Sequence, residues 1–213
     1  MSGEQKFEAV IWDFGGVFTA SPFASFARFE HEHGLPADFI RSVNRANYND
    51  NAWARAERGD INFTEFDRQF AAESRALGHE VSGAELIAAL RFAYHDEMIE
   101  ALKRVRARLK TGLLTNSLPA DGATDPGSLR RAELMGLFDQ VIESAAVRLR
   151  KPDPRIYALM VERLGVDPRS CVYLDDLGVN LKPAREMGMA TIKVEEPGPA
   201  IAALAALVGF PLR

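Results

Sequence analysis

The sequence predicts a doubly wound α/β domain with a mostly parallel sheet and an all-helical module inserted after the first strand. Three observations predict it. Short apolar runs closed by polar or turn residues recur at 7–12, 111–115, 140–143, 171–174 and 190–194, as buried strands do. Helical periodicity separates the later runs, and strands alternating with helices imply parallel βαβ units. Residues 19–94 break the alternation, with helical patterns and no convincing strand run.

Taken in order, the run at 7–12 ends abruptly in Asp13-Phe14-Gly15-Gly16, a strand entering a turn. In the insert, Phe23, Phe26 and Phe29 fall at helical spacing, as do Phe63, Phe66 and Phe70, and then Leu86, Leu90 and Tyr94. These stripes read as core packing. Asn62 with Glu65, and Ser82 with Glu85, have the spacing of a capping box, and Ile61 and Phe66 are placed as the hydrophobic staple of the first. Beyond the insert, helix faces are marked by Met98, Leu102, Val105 and Leu109, by Ile156, Met160 and Leu164, and by Leu177, Leu181 and Ala184. Asp153-Pro154 starts the second of these with a cap oxygen and a proline at the first helical position. Pro119, Gly122, Pro126 and Gly127 make 118–128 a loop.

The 213 residues suffice for a core domain plus a smaller second one, and 47% hydrophobic with 26% charged residues is ordinary globular composition. A net charge of −4 without a basic run argues against a nucleic-acid partner; Arg104, Arg106 and Arg108 read as a solvated helix face. The single cysteine, Cys171, rules out an intramolecular disulfide and sits in an apolar run, as a buried core thiol in a reducing compartment would. No window approaches the roughly 18 apolar residues of a membrane span, so a cytoplasmic location without a membrane partner is expected. The histidines, His31 and His33 included, have no ligand spacing, which argues against zinc. Nothing in the sequence sets an oligomeric state.

Ligands of open α/β sheets bind beyond the carboxyl ends of the strands. Asp13 ends the first predicted strand, Thr115-Asn116-Ser117 the second and Asp175-Asp176 the fourth, while Lys151 lies just before a helix start in Arg150-Lys151-Pro152-Asp153-Pro154. Parallel strands would bring all of them to one edge. Three carboxylates in one place repel each other unless a cation is present. Hard oxygen donors with no nearby His or Cys suit magnesium, which takes one or two carboxylates and shares a substrate phosphate. An aspartate can attack phosphorus, and a lysine with hydroxyl and amide groups can hold the phosphoryl oxygens.

These four stretches resemble, in order, the four signature motifs of the haloacid dehalogenase-like hydrolase superfamily: Val10-Ile11-Trp12-Asp13-Phe14-Gly15-Gly16-Val17, then Leu113-Leu114-Thr115-Asn116-Ser117, then Lys151-Pro152-Asp153-Pro154, then Val172-Tyr173-Leu174-Asp175-Asp176-Leu177-Gly178-Val179-Asn180. Within the superfamily the sequence most resembles the phosphatase-like N-terminal domains of soluble epoxide hydrolases and their free-standing bacterial relatives. The resemblance implies a Rossmann-like core at 1–18 and 95–213 with a helical cap at 19–94. It implies a magnesium-dependent phosphatase acting on a small phosphorylated metabolite. By the same resemblance Asp13 is the nucleophile, Thr115 bonds a phosphoryl oxygen and Lys151 offsets its charge. Phe14, Gly15 and Asn116 help form the phosphate pocket. Asp13, the Gly15 carbonyl and Asp176 ligate the metal, with Asp175 acting through water and Asn180 orienting the acidic pair.

One departure matters. Most phosphatases of the superfamily carry a second aspartate two residues after the nucleophile, which protonates the leaving group; here that position is Gly15. Such general acid–base catalysis contributes about 10²–10⁴-fold. Three readings follow: a working phosphatase with another proton donor or an undemanding leaving group, a 2-haloacid dehalogenase whose departing halide needs no proton, or a phosphate-binding module with weakened turnover. The adjacent acids Asp175 and Asp176 favour the first, because two carboxylates facing one site are costly to desolvate without a cation. In the insert, Asn47, Trp53 and Arg58 are the candidates for facing the site, though surface or packing roles are the commoner fate of such residues.

Overall fold

The computed structural model of the chain describes residues 6–91, 93–119 and 128–213, so most of the predicted 118–128 loop lies outside the described residues. Five parallel strands, β1 (Ala9–Trp12), β2 (Lys110–Thr115), β3 (Gln140–Glu143), β4 (Cys171–Asp175) and β5 (Ala190–Lys193), form one sheet in the order β3-β2-β1-β4-β5. After β1 the chain supplies α1 (Pro22–Glu32), α2 (Phe39–Arg45), α3 (Ala52–Glu57), α4 (Phe63–Ala76) and α5 (Gly83–Ala88) before returning through α6 (Asp96–Arg106) to β2. Then follow α7 (Ser128–Met135), the short α8 (Ser144–Val147), α9 (Pro154–Leu164), α10 (Gly178–Glu186) and α11 (Pro197–Val208).

The central strands β1, β2 and β4 are buried on both faces, and successive side chains divide between two cores, as the pleat requires. Val10, Trp12, Leu113, Val172 and Leu174 pack with Met98, Leu102 and Val105 of α6 and with Ile201 and Leu204 of α11. Ala9, Ile11, Leu114, Cys171 and Tyr173 pack with Ile156, Tyr157 and Met160 of α9 and with Leu181 and Ala184 of α10. Cys171 is fully buried and its thiol is pushed up to about 12 by that burial. The native chain should therefore leave a disulfide reagent such as Ellman's unreacted at pH 8, while guanidinium exposes one thiol per chain. Rapid labelling of the native protein would mean that this face of the sheet opens.

The sequence-derived elements shift in detail. β1 starts at Ala9; the neighbouring Glu8 donates its N–H to the Ser170 carbonyl at 2.8 Å and accepts from Lys110 N at 3.0 Å. Leu177 does not join the buried face of α10: it is the N-cap residue and is 38% exposed. Leu90 and Tyr94 lie beyond the end of α5. Tyr94 instead forms an antiparallel bridge with Thr19, flanked by Ala20 N–H to Ala93 O (2.8 Å) and His95 N–H to Phe18 O (2.9 Å). Both ends of the insert thus leave the sheet side by side.

Inside the insert, Phe26, Phe29, Phe39, Ile40, Phe66 and Phe70 build a third core of their own. The Asn62 and Ser82 side chains cap α4 and α5 by accepting from Glu65 N and Glu85 N. The Glu65 carboxylate, however, turns to Arg68 and Gln69, neighbours one turn along the helix, so the cap is one-armed. Trp53 packs against Phe26, Phe66 and Phe70, and Arg58 pairs with Asp50 and Asp60. Asn47 is exposed, has positive φ and bonds the Asp50 carbonyl. All three of these residues serve the insert's own structure.

Candidate active site

The carboxyl ends of β1, β2 and β4 are neighbours because β1 lies between β2 and β4, with Trp12 in register with Leu113 and Leu174. One residue further on, Asp13 leaves β1, held by its N–H to the Leu174 carbonyl at 2.9 Å. Thr115 closes β2 and Asp175 closes β4. The cluster expected from strand ends alone is therefore assembled.

Lys151 is its centre. Its side chain is 1% exposed, and Nζ lies 2.7 Å from Asp13 Oδ1 and 2.8 Å from Asp175 Oδ2. Asp13, Asp175 and Asp176 each present an oxygen within 4.8 Å of the others. Burial drives the Asp13 carboxyl up to about 7, against the pull of Lys151 and with the push of Asp175 and Asp176. Burial, then the charge of Asp175, drives Asp176 up to about 6. Burial works against the Lys151 charge, but Asp13 and Asp175 more than offset it and hold the ammonium ionised. Two of the three carboxylates pair with one ammonium, and a divalent cation would relieve the remaining repulsion. The donor set, all oxygen, fits magnesium in chemistry.

The acidic pair is not equivalent. Asp175 is fully buried, and both its oxygens are engaged: Oδ1 accepts from Leu177 N (2.8 Å) and Asn180 Nδ2 (3.0 Å), while Oδ2 accepts from Lys151 and the Tyr173 hydroxyl. Asn180 is seated in turn by the Tyr157 hydroxyl, which donates to its carbonyl at 2.7 Å. Asp176 is the more open of the two and reaches over Gly16. Gly16 has φ +74, and a Cβ there would collide with the Asp176 carboxylate, so the loop after Asp13 can approach this acid only as glycine.

Asn116 clamps the other side. Its Oδ1 accepts from Lys151 N at 2.8 Å and its Nδ2 donates to Lys151 O at 3.2 Å, bracketing the lysine backbone. Thr115 is buried, and Phe14 packs edge-on against Tyr94. Gly15, two residues after Asp13, is partly exposed with free space around its Cα. Sequence reasoning missed Tyr173, Tyr157 and Glu57. Tyr173 was findable, since on a strand it shares a face with Asp175 two residues on. Glu57 carried no signal, for its partner Arg150 is 93 residues away.

A family model for haloacid dehalogenase-like hydrolases matches residues 7–188, which takes in every residue of this cluster. The chain belongs to the haloacid dehalogenase-like hydrolases. This hydrolase is 33% identical over 221 residues to acyl-CoA dehydrogenase family member 10 of Mus musculus, covering 99% of the chain but 20% of that protein. It is 32% identical over 219 residues to bifunctional epoxide hydrolase 2 of Sus scrofa, covering 96% of the chain and 39% of that protein. The chain thus spans well under half the length of these curated relatives. A HAD-like family hydrolase of Porphyromonas gingivalis has the same fold, with TM-score 0.71 at 23% identity over 93% of this chain and 98% of that one. The resemblance drawn from the four motifs is borne out at the level of family and fold.

Proposed function

We propose that this hydrolase is a magnesium-dependent phosphatase that cleaves a small phosphorylated metabolite through an aspartyl-phosphate on Asp13. The observation that carries the reading is Lys151, buried between Asp13 and Asp175 with Asp176 beside them. Asp13, Asp176 and the Gly15 carbonyl would hold the ion, with Asp175 behind them. Bound magnesium offsets phosphoryl charge. A carboxylate oxygen of Asp13 attacks phosphorus as the bond to the leaving oxygen breaks. Lys151 and the Thr115 hydroxyl hold the phosphoryl oxygens while charge develops on them. Water then attacks the same phosphorus, the bond to Asp13 breaks, and inorganic phosphate and free Asp13 result. The helical insert acts as a cap that excludes bulk water.

The test is turnover of an aryl phosphate with and without metal. EDTA should abolish it and added magnesium should restore it. Full aryl phosphate turnover in metal-free buffer would overturn the magnesium dependence, whereas no phosphate turnover beside metal-independent halide release from a 2-haloacid would overturn the phosphatase in favour of a dehalogenase.

A further inference from the structure

Glu57, the last residue of α3, belongs to the insert, yet its carboxylate ends among residues of the core. Oε2 accepts from Arg150 Nε at 2.7 Å and from Asn116 Nδ2 at 3.3 Å, and Oε1 accepts from Trp53 Nε1 at 3.1 Å. The Glu57–Arg150 pair is nearly buried, with side chains 11% and 13% exposed. Arg150 also donates to the Tyr48 carbonyl at 3.3 Å and lies over the Tyr48 ring at 5.0 Å. Just beyond α3, Gly59 comes so close to Ala145 of α8 that a Cβ would strike the Ala145 carbonyl. The insert is therefore seated on the core at this flank.

The two core groups that Glu57 holds flank Lys151 in different ways. Arg150 precedes it in sequence, and Asn116 brackets its peptide from both sides. The Asn116 amide shares its Nδ2 between Glu57 and the Lys151 carbonyl, which fixes Oδ1 toward Lys151 N. Adhesion alone does not call for this arrangement: a buried ion pair is often matched in stability by apolar residues of similar volume, whereas its directional bonds specify geometry. We infer that Glu57 is a positioning residue that sets Lys151, through Asn116 and Arg150, only while the insert is seated, so that phosphate affinity depends on a side chain outside the phosphate pocket. The inference rests on the reading of Lys151 as the phosphate-holding cation.

The experiment compares the full chain with Glu57→Gln and Glu57→Ala in saturating magnesium. It measures inorganic phosphate binding by calorimetry, the magnesium activation constant, aryl phosphate turnover and the melting midpoint. Substitution of groups that orient a site's direct ligands weakens function by about 10-fold or more. Glu57→Ala should therefore raise the phosphate dissociation constant about 10-fold, with the magnesium constant held within about twofold. Glu57→Gln, nearly isosteric and still an acceptor, should fall between Glu57→Ala and the wild type, and it serves alone if the alanine variant does not fold. Unchanged phosphate affinity with a lowered melting midpoint would overturn the inference and make Glu57 simple adhesion. A parallel loss of magnesium and phosphate affinity would overturn it too, as general damage to the site. Phosphate binding without turnover in the wild type would overturn the phosphatase and leave this inference standing; no phosphate binding at all would overturn both.

Discussion

Asp13→Asn is expected to cut aryl phosphate turnover by on the order of 10³-fold or more, the scale seen when a nucleophile is removed, without unfolding the chain. The amide is nearly isosteric but has no attacking oxygen anion. The sign of the stability effect follows from the folded-state carboxyl being raised from 3.8 to about 7 by burial. Stability contributed by this group is fully present below about pH 4 and is lost as pH rises through about 7. Asparagine has no such loss, so in metal-free buffer above pH 7 the variant should melt at or above the wild type. Added magnesium should narrow or reverse that difference, since the variant would lack one carboxylate of the proposed metal site. For the same reason lost turnover does not by itself prove a covalent intermediate. Mass spectrometric detection of phosphorylated Asp13, or its beryllium fluoride adduct, provides that proof. Wild-type rates in Asp13→Asn would remove Asp13 from the chemistry.

Gly15→Asp should do the opposite for a chosen class of substrate. Without a carboxyl here, a departing oxygen must leave largely on its own acidity. The wild type should then depend steeply on leaving-group pKa and favour aryl phosphates over simple alkyl phosphates. The structure makes the gain-of-function variant sterically reasonable: an added Cβ at Gly15 meets nothing within 4 Å, and the positive φ of this loop sits at Gly16. Alkyl phosphate turnover should rise by about 10²-fold, the lower end of general acid–base contributions, with a smaller gain for aryl phosphates. A folded, magnesium-binding Gly15→Asp with equal effects on both substrates would show that another acid already serves, as would a flat profile in the wild type.

The core was legible in the sequence because its signals are local. Each strand is a short apolar run, and each polar cluster sits where its run stops, so parallel pairing was enough to bring Asp13, Thr115 and Asp175 together. The helical insert was legible only in part. Long stripes such as Phe63, Phe66 and Phe70 announced α4, but α2 and α3, seven and six residues long, complete fewer than two turns and so do not repeat a hydrophobic pattern. Tyr94 fell on a helical spacing by chance and in fact pairs with Thr19 across the base of the insert. Asp175 illustrates a further limit. The two acids are told apart in the sequence only by the family resemblance, not by their own pattern, whereas the fold saturates Asp175 with Lys151, Tyr173, Leu177 and Asn180 and leaves Asp176 more open. Which of two neighbouring carboxylates faces inward is decided by where β4 ends and α10 begins, and boundaries of that kind are the least readable part of a sequence.

The strand order has a consequence for how the chain reaches this state. The first strand made, β1, sits at the centre of the sheet, and its register pairs Ala9 with Lys110 on one side and with Cys171 on the other. During synthesis the wholly apolar Ala9–Trp12 segment must wait for both partners while the entire insert, with its own phenylalanine core, is completed between them. The insert can fold early from contacts near in sequence, but the sheet cannot, and long-range parallel pairing is intrinsically slow. A nascent chain stalled before β4 therefore holds an unpaired hydrophobic strand edge beside a finished helical module, the arrangement most exposed to aggregation and to chaperone capture.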